Sequence, residues 1–385
     1  QVVYSLKKHS RKFFLLASFL FSSTIAISIS FAEPANSTQT FSQNSQSPMS
    51  PTTSSMASNG TSANQSLMVP PGPILNAKGY ILIDALTGQI LVAKNINQPM
   101  PPASLTKLMT LYLISTALAN QQINLDSLVS ISKTAWKTGG SRMFVEPNSQ
   151  VPVRELIQGI IVDSGNDATM AMAEYLAGNA DSFVAMMNAK AKVLGMMNTH
   201  YVDPTGLPAD NHYSTPYDMA LLAKAIITNF PQYYSWYSQK TFTFNKITQS
   251  NRNRLLWRDP SVDGLKTGFT DAAGYCLVSS ALRDGTRLIS VVMGAPTNND
   301  RYEFSQQLLN YGFRFYKTYT VYQPQQVITQ ARVWFGKQDH IPIGVAKPVS
   351  LTLSANQKPN FTSSIKLQNS IEAPIRKGQV MGQIS

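Results

Sequence analysis

The chain has 385 residues, enough for two or three folded units; 43% are hydrophobic and 14% charged, which supports a sizeable core and excludes disorder throughout. A single cysteine, Cys276, rules out an intrachain disulfide and a cysteine zinc cage. The net charge of +12 admits an anionic partner such as a membrane face, but the basic residues are dispersed and no nucleic-acid-binding motif is present.

Lys7, Lys8, Arg11 and Lys12 precede an uncharged, mostly apolar run from Phe13 to Phe31. Ser30-Phe31-Ala32 is a small-x-small cleavage site, so residues 1–32 read as an export signal. The run is also nearly long enough to be an uncleaved anchor, although its serines and the cleavage site favour a signal. Either way, the rest of the chain is expected outside the cytoplasm. Residues 33–72 are rich in Ser, Thr, Asn, Gln and Pro, with Glu33 as their only charge. Such a segment cannot offset its ordering entropy and reads as a disordered tether.

From Gly79 the pattern changes. Tyr80–Asp84 and Gln89–Ala93 flank a turn-rich link and predict a hairpin. Ser104 to about Ala119 predicts a buried apolar helix. Further helices are expected at 153–162, 168–176, 182–194, 217–228 and 301–316. Gly274–Ala281 and Arg287–Gly294, joined by Arg283-Asp284-Gly285-Thr286, predict a second hairpin. The two hairpins most simply pair into one antiparallel sheet flanked by helices, an α+β domain over residues 73–318. Residues 319–385, with short β-rich runs and Pro/Gly punctuation, read as a small all-β domain.

Three motifs carry chemistry. Ser104-Leu105-Thr106-Lys107 sits at a predicted helix start, where positions three apart share a face. The lysine amine would lie beside the serine hydroxyl, and a serine needs such a base to become a nucleophile. Burial and nearby positive charge lower a lysine pKa into the useful range. Ser164-Gly165-Asn166 lies between two helices and offers a hydroxyl for proton relay and an amide for substrate. Lys266-Thr267-Gly268, leading into the strand near Gly274, suits a carboxylate, and an open strand edge suits an extended peptide. Each motif alone is weak. Ser-x-x-Lys recurs at Ser5–Lys8, Ser130–Lys133 and Ser363–Lys366, and a second Lys-Thr-Gly occurs at Lys137-Thr138-Gly139. The ordered trio, spaced 60 and 102 residues apart, is what distinguishes the chosen set.

In that order the motifs resemble those of the serine penicillin-recognising enzymes. Pro102–Thr110, Ser164-Gly165-Asn166-Asp167-Ala168, Val262–Gly268 and Tyr311–Tyr316 are similar to the D-alanyl-D-alanine carboxypeptidases, the low-molecular-mass penicillin-binding proteins. The resemblance covers about residues 74–385. It implies a β-lactamase/transpeptidase-like fold and a serine carboxypeptidase that trims the terminal D-alanine from peptidoglycan stem pentapeptides. That is a role in peptidoglycan biosynthesis and cell-shape maintenance. It implies an acyl-enzyme on Ser104, Lys107 as base, and Ser164 and Asn166 as further catalytic residues. Lys266, Thr267, Gly268, Phe269 and Arg301 would bind substrate, with the backbone N–H groups of Ser104 and Phe269 as oxyanion donors. Penicillins would acylate Ser104. The protein is expected in the periplasm at the inner membrane surface, with no cofactor and no metal.

The sequence departs from the family at two places. Phe269 stands where close relatives often carry histidine. The amphipathic helix that usually ends the family is not seen before Ser385, so the β domain reads as truncated. Arg301 has an alternative as a helix-start surface residue; Arg252, in Asn251-Arg252-Asn253, also matches the family, with a loop salt bridge as its alternative. Cys276 reads as an inert buried thiol, and His200 and His212 as structural. Glu174 is discounted as a deacylation base because it lies on the helix after Asn166. A β-lactamase and a penicillin-binding scaffold are the competing functions.

Overall fold

The computed structural model describes residues 2–4, 69–357 and 360–385. The expected signal and tether therefore lie outside the described residues, apart from 2–4 and 69–72.

The larger domain is built on one antiparallel sheet. Its strands are β1 (Gly79–Asp84), β2 (Ile90–Lys94), β3 (Val262–Thr270), β4 (Gly274–Arg283) and β5 (Thr286–Ala295). The spatial order is β2-β1-β5-β4-β3. The two predicted hairpins join through β5 and β1, with Val291 opposite Ile81, as the hydrophobic pattern required. The sequence pattern does not announce β3 as a separate strand. It forms a further hairpin with β4 and leaves Lys266-Thr267-Gly268 inside an edge strand rather than before one. Two glycines, Gly264 and Gly268, interrupt the alternation by which a strand is recognised.

Side chains alternate across the sheet. On β5, Ile289, Val291 and Met293 face the main helical core, while Leu288 and Val292 face the opposite side. The main core surrounds α1 (Lys107–Ala119), which is buried on nearly every side, as its uniformly apolar sequence demands. Around it pack α2 (Val153–Gln158), α3 (Asn166–Ala177), α4 (Ala180–Val193) and α5 (Pro216–Asn229). The other face is covered by α6 (Asp300–Phe315) through Tyr302, Leu308 and Leu309.

The chain leaves α6 directly into β6 (Tyr316–Tyr322) and the small β domain. There follow β7 (Val327–Arg332), β8 (His340–Val345), β9 (Val349–Ser354), β10 (Ile365–Leu367) and β11 (Val380–Ile384). β6 pairs with β9, and the other four contribute to a second sheet around Ala331, Ile341, Ile343, Ile371 and Met381. The short strand Val2–Tyr4 pairs antiparallel with both β8 and β11. The two domains touch through Thr318, whose hydroxyl donates to Asp84, and through Thr87 and Thr352, 2.7 Å apart. No described helix is long and apolar enough to cross a membrane.

Candidate active site

Ser104 is not in the α-helix proper. It sits in a single 3-10 turn, Ala103–Thr106, that runs into α1. In a 3-10 turn positions three apart eclipse, so the expected juxtaposition is tightened. Lys107 Nζ lies 3.0 Å from Ser104 Oγ and donates at 2.7 Å to the Thr205 carbonyl. Ala103, just before Ser104, is held at φ 48, a left-handed conformation uncommon for a residue with a Cβ. Ser104 remains partly exposed, while Lys107 is fully buried.

The Thr205 carbonyl is aimed by an aspartate-capped turn. Asp203 Oδ1 accepts from the N–H groups of Thr205, Gly206 and Leu207 and from the Thr205 hydroxyl. His212 lies under the same turn. The Val202 N–H approaches its Nδ1 at 3.4 Å, so Nε2 carries the proton toward Thr106 Oγ1 at 2.9 Å, and burial lowers the imidazole pKa. His212 buttresses the turn that carries Ser104, in line with its structural reading.

Ser164 ends a π-turn, Gly159–Asp163, and itself adopts φ 58. Such strain is kept where the surroundings over-determine it. Here Gly165 N–H bonds the Gly159 carbonyl and the Thr169 hydroxyl bonds the Gly165 carbonyl. Lys266 Nζ reaches across 102 positions to Ser164 Oγ at 2.9 Å. Its strand is fastened by Asp263, which receives two bonds from Arg287 and one from the Tyr234 hydroxyl, all at 2.8 Å. The two serine–lysine pairs meet at Gly268. A Cβ there would lie 2.9 Å from the Pro102 carbonyl and 3.2 Å from the Ser104 nitrogen. Only glycine lets β3 lie this close to the turn that carries Ser104.

The discounted Lys137-Thr138-Gly139 is no second site, yet it touches this one. Asn166 Nδ2 donates to the Gly139 carbonyl at 2.6 Å, and its Oδ1 is buried without a partner. Asp167 holds that loop by accepting from Met143, Phe144 and Val145 N–H groups. Only the tertiary fold brings Gly139 here.

Electrostatically the site is a cluster of cations backed by buried acids. Burial pushes Lys107 down to about 7; Asp203 and Asp167 oppose the shift and Arg252 adds to it. Burial pushes Lys266 well below the ordinary lysine value, aided by Lys107, Arg252 and Arg301. Two ammonium groups in one dry cavity disfavour each other. Arg252, weighed in the sequence as a loop residue, thus acts on both lysines. Asp163, missed from the sequence, is 2% exposed with Oδ1 unpartnered. Burial and then Asp167 push its carboxyl up to about 7, against Arg252. A raised folded-state pKa means stability is lost as pH climbs from the ordinary carboxylate range through about 7. Asp163→Asn is therefore expected to raise the melting temperature more at pH 8 than at pH 5. A gain of about 2–4 °C per ~1 kcal/mol is the scale for a domain of this size. Thermal melts at the two pH values check this; an equal or inverted difference refutes it.

Arg301 is 6% exposed and sandwiched by Tyr275 and Tyr302. Its guanidinium donates to the Gly268 carbonyl, Asn298 and the Tyr302 hydroxyl, so it touches β3 from behind rather than standing free. Thr267, which precedes Gly268 in β3, is 4% exposed. Phe269 stacks on Tyr275 at 4.3 Å and stays 46% exposed at the rim. Cys276 is buried and its thiol is pushed up to about 11 by burial, an unreactive setting. Glu174, near the C-terminal end of α3, accepts from the Ser132 hydroxyl at 2.7 Å. Among the described residues no group of three or more His, Cys, Asp or Glu side chains is placed to hold a metal ion.

A serine on a helical turn with one lysine, a second serine–lysine pair, and an edge strand closing over both define a serine acyl-transfer enzyme of the penicillin-recognising class. The sequence profile of the D-alanyl-D-alanine carboxypeptidases matches residues 65–297, and that of the penicillin-binding protein 5 C-terminal domain matches 316–385. The chain belongs to the D-alanyl-D-alanine carboxypeptidase family. It is 44% identical over 320 residues to D-alanyl-D-alanine carboxypeptidase DacC of Escherichia coli, covering 81% of this chain and 80% of that one. It is 43% identical over 337 residues to DacA of the same organism, covering 86% and 84%. The crystal structure of penicillin-binding protein 5 from Haemophilus influenzae superposes with a TM-score of 0.75 at 40% identity, covering 82% of this chain and 93% of that one. Penicillin-binding protein D2 of Listeria monocytogenes, solved with ampicillin bound, superposes at 0.58 with 32% identity, covering 63% and 100%.

Proposed function

We propose that this serine-type D-alanyl-D-alanine carboxypeptidase removes the terminal D-alanine of peptidoglycan stem pentapeptides through an acyl-enzyme on Ser104. The observation that carries the reading is the 3.0 Å contact between Ser104 Oγ and a Lys107 amine whose pKa burial lowers to about 7. Neutral Lys107 takes the serine proton as Oγ attacks the carbonyl between the two D-alanines. The backbone N–H groups of Ser104 and Phe269 receive the developing oxyanion. The leaving D-alanine amine takes its proton through Ser164, supported by Lys266. Thr267 and Lys266 meet the terminal carboxylate, and Arg301 adds positive potential through the Gly268 backbone. The unpartnered Oδ1 of Asn166 accepts a substrate N–H. Water then hydrolyses the ester. β-Lactams enter the same path and stay on Ser104. Export by residues 1–32, a tether at 33–72 and work at the periplasmic face of the inner membrane complete the reading.

The experiment is release of D-alanine from a stem pentapeptide, with peptide mapping after fluorescent penicillin. Stoichiometric label on Ser104 and D-alanine release are expected. Label with no D-alanine release overturns the carboxypeptidase and leaves a penicillin-binding scaffold. Rapid loss of the label indicates a β-lactamase instead.

A further inference from the structure

The connection from β7 to β8 ends in an exposed aromatic tip. Trp334 is 44% exposed and Phe335 is 87% exposed. Single exposed apolar residues are ordinary, but a contiguous Trp-Phe pair at a loop apex is not. The tip is held, not loose. Trp334 N–H donates to the Ile371 carbonyl at 2.8 Å, and the Trp334 carbonyl accepts from Ala373 at 3.0 Å. Phe335 sits at φ 60, a conformation that bulky residues rarely adopt. That turn points the chain outward while Val333, one position before Trp334, stays in the domain core.

Cations outnumber acids around the pair: Arg332, Lys337, Arg376 and Lys377 stand with Asp339, whose carbonyl accepts from the Val333 N–H, and Glu372, whose backbone bridges to Trp334. The Arg332 guanidinium stacks over the Trp334 ring at 4.0 Å. Lys337 follows Phe335, and the neighbouring strip that contributes Ile371 and Ala373 continues to exposed Arg376 and Lys377. Residues 319–385 carry seven Lys and Arg against two Asp and Glu. Trp suits the headgroup level of a bilayer, Phe the acyl boundary beneath it, and Lys and Arg the anionic phosphates.

We propose that the Trp334-Phe335 tip, flanked by Arg332, Lys337, Arg376 and Lys377, docks the β domain onto an anionic lipid surface. The proposal deepens the membrane reading above and is independent of the catalytic one.

The test uses the full chain with vesicles of phosphatidylcholine containing 30% phosphatidylglycerol, their acyl chains brominated to quench tryptophan on contact. Quenching is expected, with loss of most of it in Trp334→Phe, which removes one of four tryptophans. Phe335→Ser and Lys337→Glu are expected to weaken quenching at least twofold, and about 0.5 M NaCl to do the same by screening. D-Alanine release from a soluble pentapeptide should be unchanged in Phe335→Ser, which also reports its folding. Sedimentation with vesicles but no Trp334-dependent quenching overturns the proposal and leaves membrane association to another segment. Equal quenching by pure phosphatidylcholine vesicles overturns the anionic preference. No sedimentation with either vesicle overturns both this proposal and the membrane reading, while D-alanine release still reports the enzyme.

Discussion

Lys107→Ala is expected to lower the rate of Ser104 acylation by penicillin by about 10³-fold or more, with little change in fold. General-base catalysis contributes ~10²–10⁴-fold, and in the proposed mechanism one amine serves the nucleophile. The lysine is fully buried and contacts Ser104 and the Thr205 carbonyl, so its removal leaves a void the length of the side chain and takes a donor from that carbonyl, while Asp203 and Asp167 keep their backbone N–H partners. The pH dependence has a definite sign. A base must be neutral to accept a proton, so acylation should rise with pH through about 7, where Lys107 loses its proton. The same shift acts on stability with the same sign, over a higher pH window. Below about 7 the folded protein holds a buried ammonium that an unfolded chain would solvate, and this cost falls away as pH climbs from there toward the ordinary lysine range. Stopped-flow acylation from pH 5.5 to 9 checks both the fold-loss and the limb. An acylation rate that is flat across pH 6–8, or a Lys107→Ala enzyme within tenfold of the parent, removes Lys107 from the role of base.

The local parts of this site were legible in the sequence because they obey short-range periodicity. Ser104 and Lys107 lie three residues apart on one helical turn, and no tertiary information is needed to place them together. The hairpins of β1–β2 and β4–β5 were legible for the same reason, through alternation and turn residues. The strand that carries Lys266 was not, because Gly264 and Gly268 thin out its pattern. Those glycines are needed where β3 meets other backbone, so the feature that hides the strand is the one that serves the site. Gly139 could not be found at all. Its carbonyl reaches Asn166 only because Asp167 staples the 143–145 segment down. Arg301 was expected only as a residue that meets substrate or the surface, and its enclosure by Tyr275 and Tyr302 depends on two elements distant in sequence. Long-range packing of this kind leaves no local signature.

Gly206→Ala is expected to cost more than about 3 kcal/mol of stability and to slow Ser104 acylation by about 10²-fold. Gly206 holds φ +88, which a side chain rarely tolerates, and a Cβ there would lie 1.9 Å from the Ala103 carbonyl oxygen. That oxygen belongs to backbone and cannot swing aside as a flexible side chain would. One of two things must yield: the turn capped by Asp203, or the 3-10 turn that presents Ser104. If the first moves, the Thr205 carbonyl leaves Lys107 and the amine loses its 2.7 Å partner. If the second moves, Ser104 leaves the 3.0 Å contact with the amine. Either displacement of about 1 Å is enough for the stated loss of rate. Comparing urea unfolding with acylation kinetics separates the two effects, because a purely destabilised enzyme keeps its rate per folded molecule. A Gly206→Ala protein that acylates at the parent rate when folded refutes the argument. It would mean that the nucleophile turn is positioned by α1 alone and not by the loop that packs against it.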